Sequence, residues 1–275
     1  MRSIRQIGFG QGVLLLLLLF NLLPIYFIIS NSVKSPIEFA ASTLTFPQVF
    51  QWGNYAAAWD KINLSLYNST VIIGVSVIAI VALSSMSAYA FSKLRFPLQN
   101  TLFMAVFGLL LIPGFLTLIP LYLQIKKLGL TDNYLALILP YIAGGQAFTI
   151  FVLKTFFDQL PGEIFEAARI DGAGNVRIFG SVVLPLSIPI CTTVAIMNIT
   201  SLWNDYLLPS LLLNRTHQTV TMALVSFETS TGNYGLSDYG GMMAAYLIAS
   251  VPLLLLFTFL MRNFVEGISS GSIKM

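Results

Sequence analysis

The chain has 275 residues, 14 basic and 11 acidic side chains, a formal charge of +3, and 56% hydrophobic against 9% charged residues. Soluble proteins carry about 25% charged residues, so an ordinary soluble domain is excluded, and the small, scattered positive balance offers no nucleic-acid surface. The mean hydropathy of +0.83 and the apolar length suit about six membrane spans of roughly 20 residues each, which predicts an all-α integral membrane protein with one domain over residues 1–275.

The first predicted span covers residues 12–30. Arg2 and Arg5 precede it, a pattern shared with signal peptides. The apolar run is longer than a signal core and no small-residue cleavage site follows promptly, so it reads as an uncleaved helix, with Pro24 as a possible bend. Residues 31–65 form the longest polar excursion before the centre. Trp52, Tyr55 and Trp59 near its end fit either an interfacial aromatic belt or a partner-docking surface. Span two, 67–91, carries Gly74, Ser76, Ala82, Ser84, Ser85, Ser87 and Ala88, small residues that permit close helix contact. Lys93, Arg95 and Pro97 end it.

Span three, 101–121, contains Pro113, Gly114 and Pro120, which break regular backbone bonding and need protein or water around them. Residues 122–130 then read as a surface segment. Span four, 134–154, is interrupted by Pro140, Gly144 and Gly145, and its Gln146 is costly in lipid unless bonded. A charged central loop follows at 158–178. Span five, 181–206, holds Pro185, Pro189, Asn198, Thr200, Ser201, Asn204 and Asp205. Residues 207–240 read as an exposed loop, and span six covers 241–261, closed by Arg262.

The lone Cys191 can form no internal disulfide. His217 is the only histidine and has no cysteine or carboxylate cluster near it in sequence, so no metal site is expected. No phosphate-cradling Gly-x-x-x-x-Gly-Lys-Ser/Thr run occurs, and Gly8, Gly10 and Gly12 lack its lysine. The chain is therefore expected to be no enzyme and to bind no nucleotide itself.

The central loop is dense in charge, with Glu163, Glu166, Arg169, Asp171 and Arg177. It predicts a short helix over 161–170. Asp158 can cap its first turn, Pro161 suits a first helical position, and Glu163 places negative charge near the N-terminus. Glu166 and Arg169 are spaced to pair across a turn. Gly172 stands where a left-handed stop is needed. Ile164, Ala167 and Ala168 share a shallow face suited to close docking.

Glu166, Ala167 and Ala168, then Asp171, Gly172 and Ala173, followed by Phe179, Leu184 and Pro185, resemble the EAA loop of membrane subunits of binding-protein-dependent ABC importers. The fuller pattern is similar to the carbohydrate-uptake branch, and to the second, MalG-like, of its two permeases. The resemblance implies a type I ABC importer permease fold with a cytoplasmic coupling helix, in a prokaryotic cell membrane. It implies a second homologous permease (a heterodimer), two ATP-binding subunits that hold ATP and magnesium, and an extracytoplasmic sugar-binding protein. Glu163, Glu166, Ala167, Ala168, Arg169, Asp171, Gly172 and Ala173 become the ATPase-coupling candidates.

Six spans with the N-terminus inside place nine of the 14 basic residues in the cytoplasm and five outside, obeying the positive-inside rule. Both termini and the central loop are then cytoplasmic. For the pathway, Tyr141, Gln146, Asn198, Ser201, Trp203 and Asn204 are candidates. Amides and hydroxyls suit an uncharged polyhydroxyl solute, and Tyr141 and Trp203 could stack on sugar faces. The same groups could instead bond between helices. An ion-gradient-driven secondary carrier is the alternative function. It calls for ionisable residues within the spans, and apart from Asp205 near one end these spans have essentially none.

Overall fold

Apolar runs make the long helices, and Pro36, Pro113 and Pro161 stand at helix starts. The structure is a computed structural model that describes the backbone over residues 2–230 and 238–272, and side chains over 10–226 and 238–260. Its helices are α1 (Arg2–Ser32), α2 (Pro36–Ala41), α3 (Gly53–Lys93), α4 (Gln99–Gly108), α5 (Gly114–Lys127), α6 (Leu135–Asp158) and α7 (Gly162–Ile170). There follow α8 (Asn175–Ile178), α9 (Leu184–Leu186), α10 (Ile188–Trp203), α11 (Leu207–Leu212), α12 (Val220–Ser230) and α13 (Tyr239–Ser272). Among the described residues there is no strand.

Among the described residues four helical stretches are long and apolar enough to cross a membrane, Gly10–Ser32, Gly53–Lys93, Leu135–Asp158 and Tyr239–Leu260. Two further pairs qualify only when each is taken together: Gln99–Leu111 with Gly114–Lys127, bent by 97°, and Asn175–Leu186 with Ile188–Trp203, bent by 75°. Counting each bent pair as one span gives six.

By internal contacts the chain forms two units, residues 1–66 with 222–252, and 67–221 with 253–275. The boundaries fall inside α3, α12 and α13. In the first unit, α1 carries exposed leucines on every side from Leu14 to Leu19, as a helix surrounded by apolar solvent does. Its end is polar and ordered. Asn31 donates to the Phe27 and Thr43 carbonyls, and the fully buried Lys34 donates to the Ser42 and Thr43 carbonyls at 3.1 and 3.3 Å. Ser35 caps α2 by accepting from the Glu38 N–H. Phe39 stacks on Tyr239 at 4.6 Å. Gly240 is required where it stands, because a Cβ would lie 2.5 Å from the Lys34 carbonyl oxygen.

In the second unit, residues 67–93 of α3 pack with α6 and α10. The bend between α4 and α5 falls at a 3₁₀ turn, Leu109–Leu111, followed by Pro113. The bend before α10 falls at Ser187, between Pro185 and Pro189 and after a π-helical turn, Phe179–Val183. Each proline lacks the N–H that would bond one turn back. At the end of the unit where α11 lies, Asp132 holds a left-handed backbone, φ +57°. It accepts from the Asn214 N–H and from His217 Nδ1, both at 3.0 Å. Tyr134 donates to Asn68, whose amide donates in turn to the Thr216 and Gln218 carbonyls. These bonds tie residues 131–135, 212–220 and the 68–69 turn of α3 together. They hold the Asp132 carboxyl below the usual carboxylate range, the Asn214 amide contributing most and His217 next.

Several boundaries differ from expectation. Residues 53–65 are helical rather than part of an excursion, because α3 runs for 41 residues, roughly 60 Å at 1.5 Å per residue. That is about twice the hydrocarbon core, so part of α3 extends beyond it. Residues 114–127 form a separate helix after the bend, and it runs past the expected end of span three at 121. The expected loop at 207–240 holds α11 and α12, and its residues 231–237 lie outside those described. Helix α13 runs on to Ser272, past the expected end of span six; the side chains of Arg2, Arg5 and Arg262, and Lys274 altogether, also lie outside the described residues.

Candidate functional site

Helix α7 is built as a projecting knob with a fixed root. Its nine residues make a rod of roughly 14 Å. Pro161 occupies the N-cap position, with no side-chain cap. Asp158 does not cap it, because its carboxylate accepts from Lys154 and Ser92, both at 2.7 Å. The C-terminal stop matches the expectation at Gly172, whose φ is +78°. Gly172 N–H donates to the Arg169 carbonyl at 3.0 Å and Ala173 N–H to the Ala168 carbonyl at 2.9 Å. That pair of bonds is a Schellman motif, in which glycine supplies the left-handed residue.

The root is Phe165, a residue the sequence reading passed over. It is 4% exposed and sits in a buried cluster with Ala88 and Tyr89 of α3, Leu153 and Phe157 of α6, Ile178 of α8 and Val194 of α10. Lys93 lies over its ring, 4.7 Å from the centroid, and donates to the Leu160 carbonyl at 3.1 Å. Ala168 and Ala173 are packed against the same cluster, so they serve the chain's own core more than an outward face. The spacing of 165 and 168, three apart beside charged neighbours, was the available signal.

The far side of α7 is exposed at Glu163 and Ala167, with Glu166 at its edge; Arg169, one turn beyond Phe165, is exposed towards the turn after α3, and beyond the helix Asp171 and Gly172 are exposed. Ile170 and Val176, each 86% exposed, add apolar surface beside these charges. The expected ion pair between Glu166 and Arg169 is not made; among the described residues the ion pairs are Lys154 with Asp158 and His217 with Asp132. Both side chains are exposed.

A second feature lies between α6 and α10, a groove of about 370 Å³ lined by Pro140, Gly144, Gly145 and Phe148 on one side and Met197 and Leu202 on the other. Of the expected pathway residues, Tyr141, Asn198 and Ser201 line it. Tyr141 donates to Asp205 at 2.8 Å, and Asn198 donates to Thr149 and to the Val194 carbonyl. Gln146 instead accepts from Ser84 of α3 at 2.9 Å and donates to the Ile142 carbonyl. It is a bond between helices. Trp203 is buried, and Asn204 is exposed and donates to the Thr200 carbonyl. Gly145 sets the groove wall, since a Cβ there would come within 2.6 Å of Ile80 and 3.1 Å of the Asn198 oxygen. The sequence reading noted Gly145 as a helix interruption and missed this packing role, which depends on a neighbour 65 positions away.

Residues 80–270 match the family described as binding-protein-dependent transport system inner membrane component. The chain is 32% identical over 272 residues to the diacetylchitobiose uptake system permease protein NgcG of Streptomyces coelicolor, covering 98% of this chain and 90% of that one. It is 30% identical over 258 residues to the melibiose/raffinose/stachyose import permease protein MelC of Bacillus subtilis, covering 92% of each. Its fold is similar to a chain of a bacterial ABC transporter involved in the import of the acidic polysaccharide alginate. There the TM-score is 0.82 at 22% identity, over 96% of this chain and 98% of that one. The fold is thus that of an ABC importer permease, and the chain belongs to the binding-protein-dependent transport system inner membrane components.

Proposed function

We propose that the chain, acting as one permease domain over residues 1–275, forms half of the membrane pathway of an ATP-driven sugar importer. The other half is a second, homologous permease. Two ATP-binding subunits on the cytoplasmic side hold ATP and magnesium, and an extracytoplasmic binding protein delivers the solute. Relatives named for the uptake of diacetylchitobiose and of melibiose, raffinose and stachyose support the substrate class. An ion-gradient-driven carrier finds no support in a family defined by dependence on a binding protein.

The observation that carries the mechanism is the two-sided build of α7. Phe165 ties it to α3, α6, α8 and α10, while Glu163, Glu166 and Ala167 face outward. A push on the outer side therefore reaches the core that joins the spans, including α10 and its groove. Tyr141, Asn198 and Ser201 are the groups of this chain facing the solute there, with Gln146, Trp203 and Asn204 holding the helices around them. Both termini and α7 lie on the cytoplasmic side, as the distribution of basic residues favours.

The test is sugar uptake and ATP hydrolysis by the reconstituted complex, with subunit co-purification as the assembly check. Gly172→Val is expected to abolish uptake, and Glu166→Ala to weaken association with the ATPase, both variants still inserting in the membrane. Normal uptake by both would contradict the coupling role.

A further inference from the structure

Between α7 and the turn that follows α3 lies an open cleft of about 1050 Å³, lined by Lys93, Arg95, Gln99, Glu166, Arg169 and Asn175 among others. Three cations meet one carboxylate there. Arg95 and Arg169 are exposed, and neither makes an ion pair with a described carboxylate. The other acid close by, Asp158, is already taken by Lys154 and Ser92. Lys93 uses one N–H on the Leu160 carbonyl and covers the Phe165 ring. The cleft is thus a concave surface of uncompensated positive charge, which draws an anion.

Its position narrows the anion. Lys93 is the last residue of α3 and Gln99 the first of α4, and each helix belongs to a membrane-crossing segment. The cleft therefore sits at the turn between two apolar, membrane-length segments, where a span leaves the hydrocarbon core. Beside it, Leu98 is 71% exposed, and Leu102 and Met104 of α4 are exposed as well. We propose that the cleft binds the phosphate of an anionic phospholipid, with Arg95 and Arg169 on the headgroup and the acyl chains along α4. An acidic segment of a protein partner would answer the charge but leave the apolar surface of α4 uncovered. The inference rests on the reading of α7 as lying at the cytoplasmic membrane boundary.

The experiment uses the complete importer purified in detergent and exposed separately to phosphatidylglycerol, phosphatidylcholine and inorganic phosphate, with bound molecules counted by native mass spectrometry. Phosphatidylglycerol is expected to be retained over phosphatidylcholine. Arg95→Gln and Arg169→Gln should each weaken its retention about five-fold, the effect of one basic residue near an anionic surface. Arg95 lies outside the buried core, and co-purification of all subunits verifies assembly of its variant. Equal retention of both lipids, unchanged retention in both variants, or binding of inorganic phosphate without preference for phosphatidylglycerol would overturn the proposal. So would ATPase subunits detaching from the Arg95→Gln complex while the lipid stays bound, because the cleft would then serve a protein acid. Retention is read without transport, so normal uptake by the coupling variants would not alter this result.

Discussion

Among the described residues Leu98, Gly129, Asp132 and Gly172 hold left-handed backbone, and at Gly172 and Asp132 the reasons can be tested separately. At Gly172 a Cβ would meet no neighbouring atom within 4 Å, so the cost of a side chain is backbone strain, roughly 1–2 kcal/mol. The effect expected for Gly172→Val therefore comes from the exit of α7, not from crowding inside this chain. Gly172→Asn, which tolerates the left-handed region, should keep most of the uptake that Gly172→Val loses. At Asp132 the strain is offset by bonds its carboxylate accepts from the Asn214 N–H and His217. Its carboxyl is depressed, so its stabilisation is complete above the unfolded carboxyl value, about 3.9. That stabilisation is lost as pH falls through the lower folded value. The protection of the Asn214 amide, its exchange rate relative to that of an unstructured amide at the same pH, should stay high from pH 7 down to that range and fall below it. Asp132→Asn should remove the acid-dependent step, and an unchanged pH profile in this variant would contradict the assignment.

Helix α7 shows how a short element gains rigidity from tertiary contact. Nine residues are too few for a stable helix alone in water, and its ends are closed by backbone geometry, not by side-chain caps. Phe165 supplies the missing stability by entering the cluster with Tyr89, Leu153 and Phe157. Phe165→Ala should cost about 3–5 kcal/mol of local stability through the cavity left behind. Faster amide exchange over 162–170, with the rest of the chain unchanged, is the expected reading. Protection equal to wild type would show that α7 does not depend on this anchor. The loop's charge, its glycine stop and its helical length were legible in sequence because they are local. Phe165 was not recognised, since its value depends on α3, α6, α8 and α10 converging on it. The Asp158 cap failed for a similar reason: Lys154 one turn earlier and Ser92 on another helix compete for the same carboxylate.

At the level of the whole chain, each apolar run read from the sequence falls on a helix or a bent helix pair among the described residues, while the bends required packing information. Pro113, Pro185 and Pro189 announced weak points, but neither the 97° nor the 75° angle follows from a proline alone. The pathway residues divided along the same line. Tyr141, Asn198 and Ser201 share the α6–α10 groove, whereas Gln146 turned to Ser84, a partner 62 positions away. The central claim is that the exposed side of α7 meets the ATPase subunit while Phe165 transmits its movement inward. Cys191 is the sole cysteine, so a chain with Cys191→Ala and Ala167→Cys carries one thiol, on that exposed side. A photoactivatable maleimide placed there in the assembled, membrane-embedded importer should cross-link to an ATP-binding subunit, and the yield should change when ATP is added. Attachment only to lipid or to the partner permease, with the ATPase present and co-purifying, would contradict the account.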